Sequence, residues 1–261
     1  MSQTQNQKTY ASSKIVRYYR QLNQLQPAEQ MLLDRLRPRL SQMTMLDMGV
    51  GAGRTTQHFH RLVDEYVGVD VSAQMIEACQ QRFPMINRSQ LQVGDACDLS
   101  QFADSSFDFV LFSFNGIDYV SQSDRLRVLS EIARVSRPGA IFCFSTHNLQ
   151  GFEQSLSWKA QFVANPIVTY TNLIMRSILG WMNRSIDLTQ IHNEPYAIVK
   201  DESHNFQLDT YYIRPQAQIQ QLQPYFQDIE VYSWRNDVEL VSEGDRLANE
   251  DLWLYYYCTL K

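Results

Sequence analysis

Residues 46–56 read Leu-Asp-Met-Gly-Val-Gly-Ala-Gly-Arg-Thr-Thr: a short apolar run that ends in glycines at 49, 51 and 53 and passes into a helix-compatible stretch. Glycine is required where the backbone takes a positive φ, or where a ligand must reach the main chain with no Cβ in its way. A helix that starts straight after such a turn presents unpaired N–H groups to that ligand. Strand, glycine turn and helix form the opening unit of a doubly wound α/β sheet, so the rest of the chain has to be read for the same alternation.

The alternation is present. Apolar periodicity predicts N-terminal helices over 12–24 and 28–37 (together the segment 1–40), with Pro27 in a first turn and Pro38 as a stop. Then follow a strand at TMLDM from Thr44, a helix over 53–63, a strand YVGVD ending at Asp70, and a helix over 72–83 closed by Pro84. A third strand, LQVGD, runs near residue 93 and a fourth, FDFVLFSF, starts at Phe107. Next comes a helix over 123–136 with Leu126, Leu129, Ile132 and Val135 on one face, a break at Arg137, Pro138 and Gly139, and a fifth strand from Ala140. Residues 148–208 lose the pattern and are rich in aromatic and amide side chains, which predicts an inserted cap. A helix over 215–223 and two strands, from Ile229 and Leu252, close the chain as an antiparallel hairpin. The expected architecture is one domain over 1–261, a mostly parallel seven-stranded sheet.

Charge and cysteine usage narrow the class. A formal net charge of −5 leaves no basic footprint for a nucleic-acid backbone, so no nucleic-acid partner is expected. The most apolar window, Phe162 to Met182, is broken by Asn165, Pro166, Asn172 and Arg176; it predicts an amphipathic helix and no membrane span. Cys79, Cys97, Cys143 and Cys258 have no CxxC spacing, and the polar start MSQTQNQKTY lacks the apolar core of a secretory signal, which points to the cytoplasm.

A dinucleotide-binding turn would carry glycine or alanine three residues after Gly51, where this chain has Arg54, so a nicotinamide site is disfavoured. The order of glycine loop, Gly-Val-Asp at 68–70, Gly-Asp-Ala at 94–96, Phe-Asp-Phe-Val at 107–110 and Arg-Pro-Gly at 137–139 resembles the class I S-adenosylmethionine-dependent methyltransferases of Rossmann-like fold, from Thr44 to about Asn148. By that resemblance S-adenosylmethionine is the cofactor. Gly49, Gly51 and Gly53 lie against its methionine part, Asp47 sits beneath its ammonium, and Asp70 with Val71 holds the ribose. Asp95, Ala96 and Cys97 meet the adenine, Phe112 and Ser113 face the sulfonium, and Tyr19, with Tyr18 beside it, folds over the cofactor from the first helix.

Methyl transfer from a sulfonium is an in-line displacement that rests mainly on positioning. A hydroxyl acceptor also needs a base, and histidine titrates nearest the working pH. His147 directly follows the fifth strand at the carboxyl edge of the sheet, where ligands bind in open α/β folds, and is the candidate base. His58 and His60 stand two apart on one helix and cannot face one site, while His192 and His204 lie in the cap. Asn115, Tyr119, Tyr211 and Arg214 are the candidate acceptor contacts, with Asp118 and Tyr212 next to them; tyrosines with one arginine suit a polar small molecule. No metal site is expected. The leading reading is an O- or N-methyltransferase with a small-molecule acceptor enclosed by the cap, and the rival is a binding module that keeps the cofactor pocket without turnover.

Overall fold

The computed structural model describes residues 12–184, 186, 190–202 and 206–261. Two helices, α1 (Ser13–Gln21) and α2 (Pro27–Leu40), precede the first strand. Strand β1 (Thr44–Met48) leads through the glycine turn to the single turn α3 (Thr56–Phe59). β2 (Glu65–Asp70), α4 (Ala73–Arg82), β3 (Leu91–Val93), β4 (Phe107–Phe112), α5 (Gln122–Val135) and β5 (Ser136–Asn148) follow. After β5 come α6 (Leu149–Leu156), α7 (Trp158–Gln161), α8 (Pro166–Met182), β6 (Tyr196–Val199) and β7 (Thr210–Ile213). The chain ends with α9 (Pro215–Leu222), β8 (Phe226–Ser233), α10 (Glu243–Ala248) and β9 (Trp253–Leu260).

Among the described residues, nine strands form one sheet. β3, β2, β1, β4 and β5 lie side by side in parallel, while β9 runs antiparallel along Ile141 to His147 of β5 and carries β8 on its outer edge. These seven strands match the doubly wound, mostly parallel sheet expected from the sequence. The remaining two come from the segment after β5. β4 ends opposite Phe144; beyond it β7 pairs in parallel with His147 and Asn148, and β6 pairs antiparallel with β7. Because His147 pairs with Trp253 on one side and Tyr212 on the other, β7 occupies the position that β4 has vacated.

Both faces of the central strands are apolar, as a covered parallel sheet requires. Phe109, Leu111, Ile141 and Cys143 pack with Leu32, Leu36 and Leu40 of α2, whereas Val110, Phe142 and Phe144 pack with Val128, Leu129 and Ile132 of α5.

Local differences from the expected elements have physical causes. The helix expected over 53–63 is the single turn α3, because residues 51–55 are spent on the turn itself. Pro38 lies inside α2, which runs on to Leu40 because Leu36 and Leu40 are both buried against the sheet. Leu126 is 44% exposed; the buried stripe of α5 is Arg125, Val128, Leu129, Ile132 and Val135. The Arg-Pro-Gly break is absorbed as an irregular, exposed start of β5, with Gly139 at φ +77°.

Candidate active site

A cavity of about 990 Å³, counted to its open mouth, lies at the carboxyl ends of β1, β2, β3 and β4. Gly49 and Gly51 form one wall at φ +63° and +55°. A Cβ on Gly49 would stand 3.0 Å from the ring of Phe112, and one on Gly51 would stand 3.7 Å from Tyr19, which closes the cavity from α1. Asp70 holds the turn in place, accepting from the Gly51 N–H at 2.9 Å and the Ser72 N–H at 2.8 Å. Burial pushes its carboxyl up to about 6 against the pull of those two N–H groups.

Val71 and Met75 beyond β2, Asp95 and Ala96 beyond β3, and Phe112 and Tyr119 from β4 onward complete the lining. Among the described residues that line it, Asp70 and Asp95 are the charged ones, and neither lysine, arginine nor histidine is present. Such a lining fits S-adenosylmethionine. The two glycines leave bare backbone facing the cavity, two carboxylates stand where hydroxyl and amino donors need acceptors, apolar groups offer a slot for a planar base, and no cation opposes a sulfonium.

The end of β4 is backbone-strained. Phe114 and Asn115 adopt φ +58° and +61°, the left-handed region that side chains disfavour by about 1–2 kcal/mol each. The Asn115 N–H donates to Ser145 Oγ at 2.8 Å and its carbonyl accepts from the Asp118 N–H at 3.0 Å, which holds the turn. The turn sets the Phe114 ring edge-on to Tyr19 at 6.3 Å, inside the cavity.

Behind Asn115 lies a buried polar chain. Asp118 and Arg125 are fully buried and paired at 2.6 Å. The other oxygen of Asp118 accepts from both the backbone N–H and the ring Nδ1 of His147, each at 2.7 Å. A carboxylate on Nδ1 selects the tautomer with the proton there, so Nε2 carries the lone pair and accepts from Asn115 Nδ2 at 3.3 Å. His147 itself lines a second cavity, of about 1100 Å³ to its mouth, walled by Phe152, Met175, Asp201, Tyr212 and Trp253. Asn115 thus stands between the two cavities, its neighbours Phe114 and Gly116 in the first and its amide on the histidine of the second. Asn115 Oδ1 is buried without a hydrogen-bond partner.

Of the residues singled out in the sequence, Gly49, Gly51, Asp70, Val71, Asp95, Ala96, Phe112, Tyr19 and Tyr119 come together around the first cavity. Others do not. Gly53 faces α4, where a Cβ would lie 2.4 Å from Phe83 and 2.9 Å from Cys79; it is glycine for packing. Asp47 is turned under the loop and accepts from Thr55 and Tyr66, each at 2.6 Å, with its carboxyl also pushed up to about 6 by burial. Cys97 belongs to the core cluster beneath α5. Tyr211 is buried over the Arg125 guanidinium, 4.6 Å from it, with its hydroxyl donating to Gln122. Arg214 pairs with Glu153 at 2.9 Å and donates to the carbonyls of Glu194 and Ile191. His58 and His60 bind the carbonyls of Asn23 and Thr56. His192 is exposed beside Trp158 and Arg176, and His204 lies outside the described residues.

Glu29 had no functional reading in the sequence. Arg54 is held by Glu29 of α2 in a doubly bonded pair (2.5 and 2.7 Å), and Glu29 also accepts from Ser113 and Tyr255. Glu29 thereby ties α2 to the glycine turn and to Ser113 on the cavity wall; its one sequence signal is the Gln26–Glu29 capping box. Asp118 was visible as a residue after β4, but only the fold brings it to His147.

The fold is the Rossmann-like α/β fold seen in class I S-adenosylmethionine-dependent methyltransferases, and the cavity lies where such sheets bind ligands. Residues 45–139 match the family model described as a methyltransferase domain. A magnesium-protoporphyrin O-methyltransferase of Rhodobacter capsulatus is 31% identical over 113 residues, covering 42% of this chain and 49% of that one. A demethylmenaquinone methyltransferase of Staphylococcus aureus is 33% identical over 127 residues, 46% of this chain and 51% of that one. The chain spans about half the length of the curated relatives it matches. Among solved structures, an S-adenosylmethionine-dependent methyltransferase of Mesorhizobium loti shares the fold over 89% of this chain and 97% of its own at TM-score 0.60 and 16% identity. One of Thermotoga maritima does so over 100% of both at TM-score 0.55 and 16% identity.

Proposed function

We propose that this protein is an S-adenosylmethionine-dependent methyltransferase acting on oxygen or nitrogen of a small molecule, with cofactor in the first cavity, acceptor in the second, and the segment 148–208 as the cap that encloses the acceptor. In this reading Gly49 and Gly51 receive the methionine part, Asp70 accepts from the ribose hydroxyls and Asp95 from the adenine amine. When bound, the cofactor supplies an electrophilic methyl group on a sulfonium. Tyr19 and Phe114 exclude water above it, and Asn115 and Tyr119 form the wall toward the acceptor. His147 takes the acceptor's proton on Nε2 once the acceptor displaces the Asn115 amide from that lone pair, while Asp118 holds the ring and stabilises the imidazolium that results.

The observation that carries this reading is the Asp118–His147–Asn115 chain. In it an oriented imidazole ring of the second cavity meets Asn115, whose chain neighbours Phe114 and Gly116 line the first. Support for a small acceptor comes from the second cavity, which is walled on several sides by the inserted segment, and from the two relatives whose names specify a protoporphyrin and a demethylmenaquinone. An acidic surface charge argues against nucleic acid, and four free, buried cysteines suit a reducing cytoplasm.

The test is transfer of label from methyl-labelled S-adenosylmethionine into a cell extract. Label in the small-molecule fraction that disappears with His147→Gln, while S-adenosylhomocysteine still binds, supports the reading. Label in protein or RNA overturns the acceptor class. Binding without any label above an Asp70→Ala control favours the rival, a cofactor-binding module.

A further inference from the structure

Helix α8 carries an apolar stripe on the face that it does not bury. Ile167, Tyr170, Ile174, Ile178 and Trp181 fall at spacings of three and four and therefore share one face. That face is the outer one, the five residues being 72%, 66%, 42%, 37% and 67% exposed. The inner face carries Asn172, Met175, Arg176 and Leu179, which line the cavity that holds His147. A surface helix of a water-soluble protein buries its apolar stripe and shows a polar one; α8 packs Met175 and Leu179 inward yet shows a second apolar stripe to the outside. The patch extends past the helix to Trp158 and Phe162, stacked at 6.3 Å and 62% and 61% exposed, and to Val163.

We infer that α8 and the Trp158–Val163 turn form a docking surface for an anionic lipid bilayer, on which the protein lies without crossing it. The charge of the segment selects that occupant. Residues 154–186 contain no Asp or Glu but do contain Lys159, Arg176 and Arg184, three positive charges in a chain whose net charge is −5. Lys159 and Arg184 are both exposed, and each basic side chain close to an anionic leaflet adds to adsorption. Tryptophan and tyrosine, which favour the headgroup level, are spread along the patch, Tyr170 near the start of α8, Trp158 beside its middle against Arg176, and Trp181 near its end. No helix among the described residues, the 17-residue α8 included, is long and apolar enough to cross a membrane. A second copy of this chain fits worse: a two-fold contact sets the patch against itself, bringing lysine and arginine together with no carboxylate between them.

Docking here goes beyond the proposed methyl transfer and does not depend on it. It brings the cavity that holds His147, lined by the inner face of α8, to within one helix of the lipid.

The experiment is co-sedimentation of the full chain with vesicles of phosphatidylcholine alone or mixed with phosphatidylglycerol, followed in parallel by tryptophan fluorescence. Trp234 and Trp253 are stacked on each other at 4.0 Å, so a blue shift on mixing reports Trp158 and Trp181. Expected are pelleting and a blue shift with the phosphatidylglycerol vesicles, both reduced by salt. Lys159→Gln and Arg184→Gln should each weaken binding about fivefold, and the double variant Ile174→Glu, Trp181→Glu about tenfold or more, with an unchanged circular dichroism spectrum and unchanged S-adenosylhomocysteine binding. The inference is overturned by absence of pelleting at low salt, by equal pelleting of the double variant, or by a lipid-free dimer that this variant splits. Failure of methyl transfer alone leaves it standing.

Discussion

The first cavity, where we place the cofactor, and the second, where we place the acceptor, are built from different parts of the chain. The first is made of strand ends, a glycine turn and backbone N–H groups tied to one carboxylate, all within the sheet and its two buried helical layers. The second is made of side chains from a segment that adds two short strands beyond the end of β4 and has a small core of its own around Phe152, Leu179 and Tyr212. The first can vary little without losing its shape, because main-chain geometry defines it. The second can be relined by substitution, which is how one fold serves many acceptors. Asn115 and His147 lie on the seam, so substitutions there give the sharpest contrast.

The largest effect is expected at the seam. His147→Ala should lower turnover by roughly 10² to 10⁴ with cofactor affinity close to wild type, since the ring lines only the acceptor cavity. Single-turnover rates beside calorimetry with S-adenosylhomocysteine check this. A fall in cofactor affinity of the same size as the fall in rate would mean that the two cavities work as one.

Next in size are the two buried ion pairs, one behind each cavity. Asp118→Ala leaves Arg125 buried without its counter-charge, and Glu29→Ala does the same to Arg54; each should cost about 3–5 kcal/mol in urea unfolding. They should differ in function. Glu29→Ala loosens the glycine turn and weakens cofactor binding, whereas Asp118→Ala frees the imidazole and lowers turnover more than affinity. Equal functional profiles would break the division between the sides.

That division also governs what the sequence reveals. The lining of the first cavity was legible because it is local: Gly49, Gly51, Asp70 and Asp95 sit at strand ends, and apolar periodicity places strand ends. Gly53 and Asp47 belong to the same motif but serve packing beneath the loop, a distinction that depends on Phe83 and Tyr66, which are distant in sequence. The acceptor side was mostly hidden. Tyr211 and Arg214 looked like pocket residues, yet β7 pairs beside β5 and directs them to Arg125 and Glu153. The outward stripe of α8 was visible as an amphipathic pattern, but periodicity alone does not say which face meets water.

A smaller effect is expected from titration on the cofactor side. Asp70 and Asp47 are both raised from 3.8 to about 6 by burial. A raised carboxyl binds its proton more tightly in the folded state, so each contributes stability that is full below pH 3.8 and lost as pH rises through about 6. The ligand-free protein should therefore lose on the order of 2–3 kcal/mol per group between those limits, set against other titrations. Cofactor binding should run the other way. Ribose hydroxyls donate to an ionised Asp70, so affinity for S-adenosylhomocysteine should rise about tenfold from pH 5 to pH 7, and Asp70→Ala should remove that rise along with about 1–3 kcal/mol of binding. A pH profile that survives in Asp70→Ala would assign it to another group.

The smallest effect separates conformation from ligand contact using two glycines. Gly51 at φ +55° and Gly139 at φ +77° both hold left-handed backbone, and a Cβ on Gly139 meets nothing within 4 Å. Alanine at either position carries the same conformational cost, about 1–2 kcal/mol in thermal or urea unfolding. At Gly139, on the exposed start of β5, the cost should end there. At Gly51 the new methyl group enters a wall of the cofactor cavity, in contact with Tyr19 at 3.7 Å. Gly51→Ala should therefore lose S-adenosylhomocysteine affinity as well, while Gly139→Ala binds it as wild type does. If the two variants lose stability equally and both keep full affinity, the glycine turn serves the fold alone, and the cofactor must lie further toward Asp95 and Phe112.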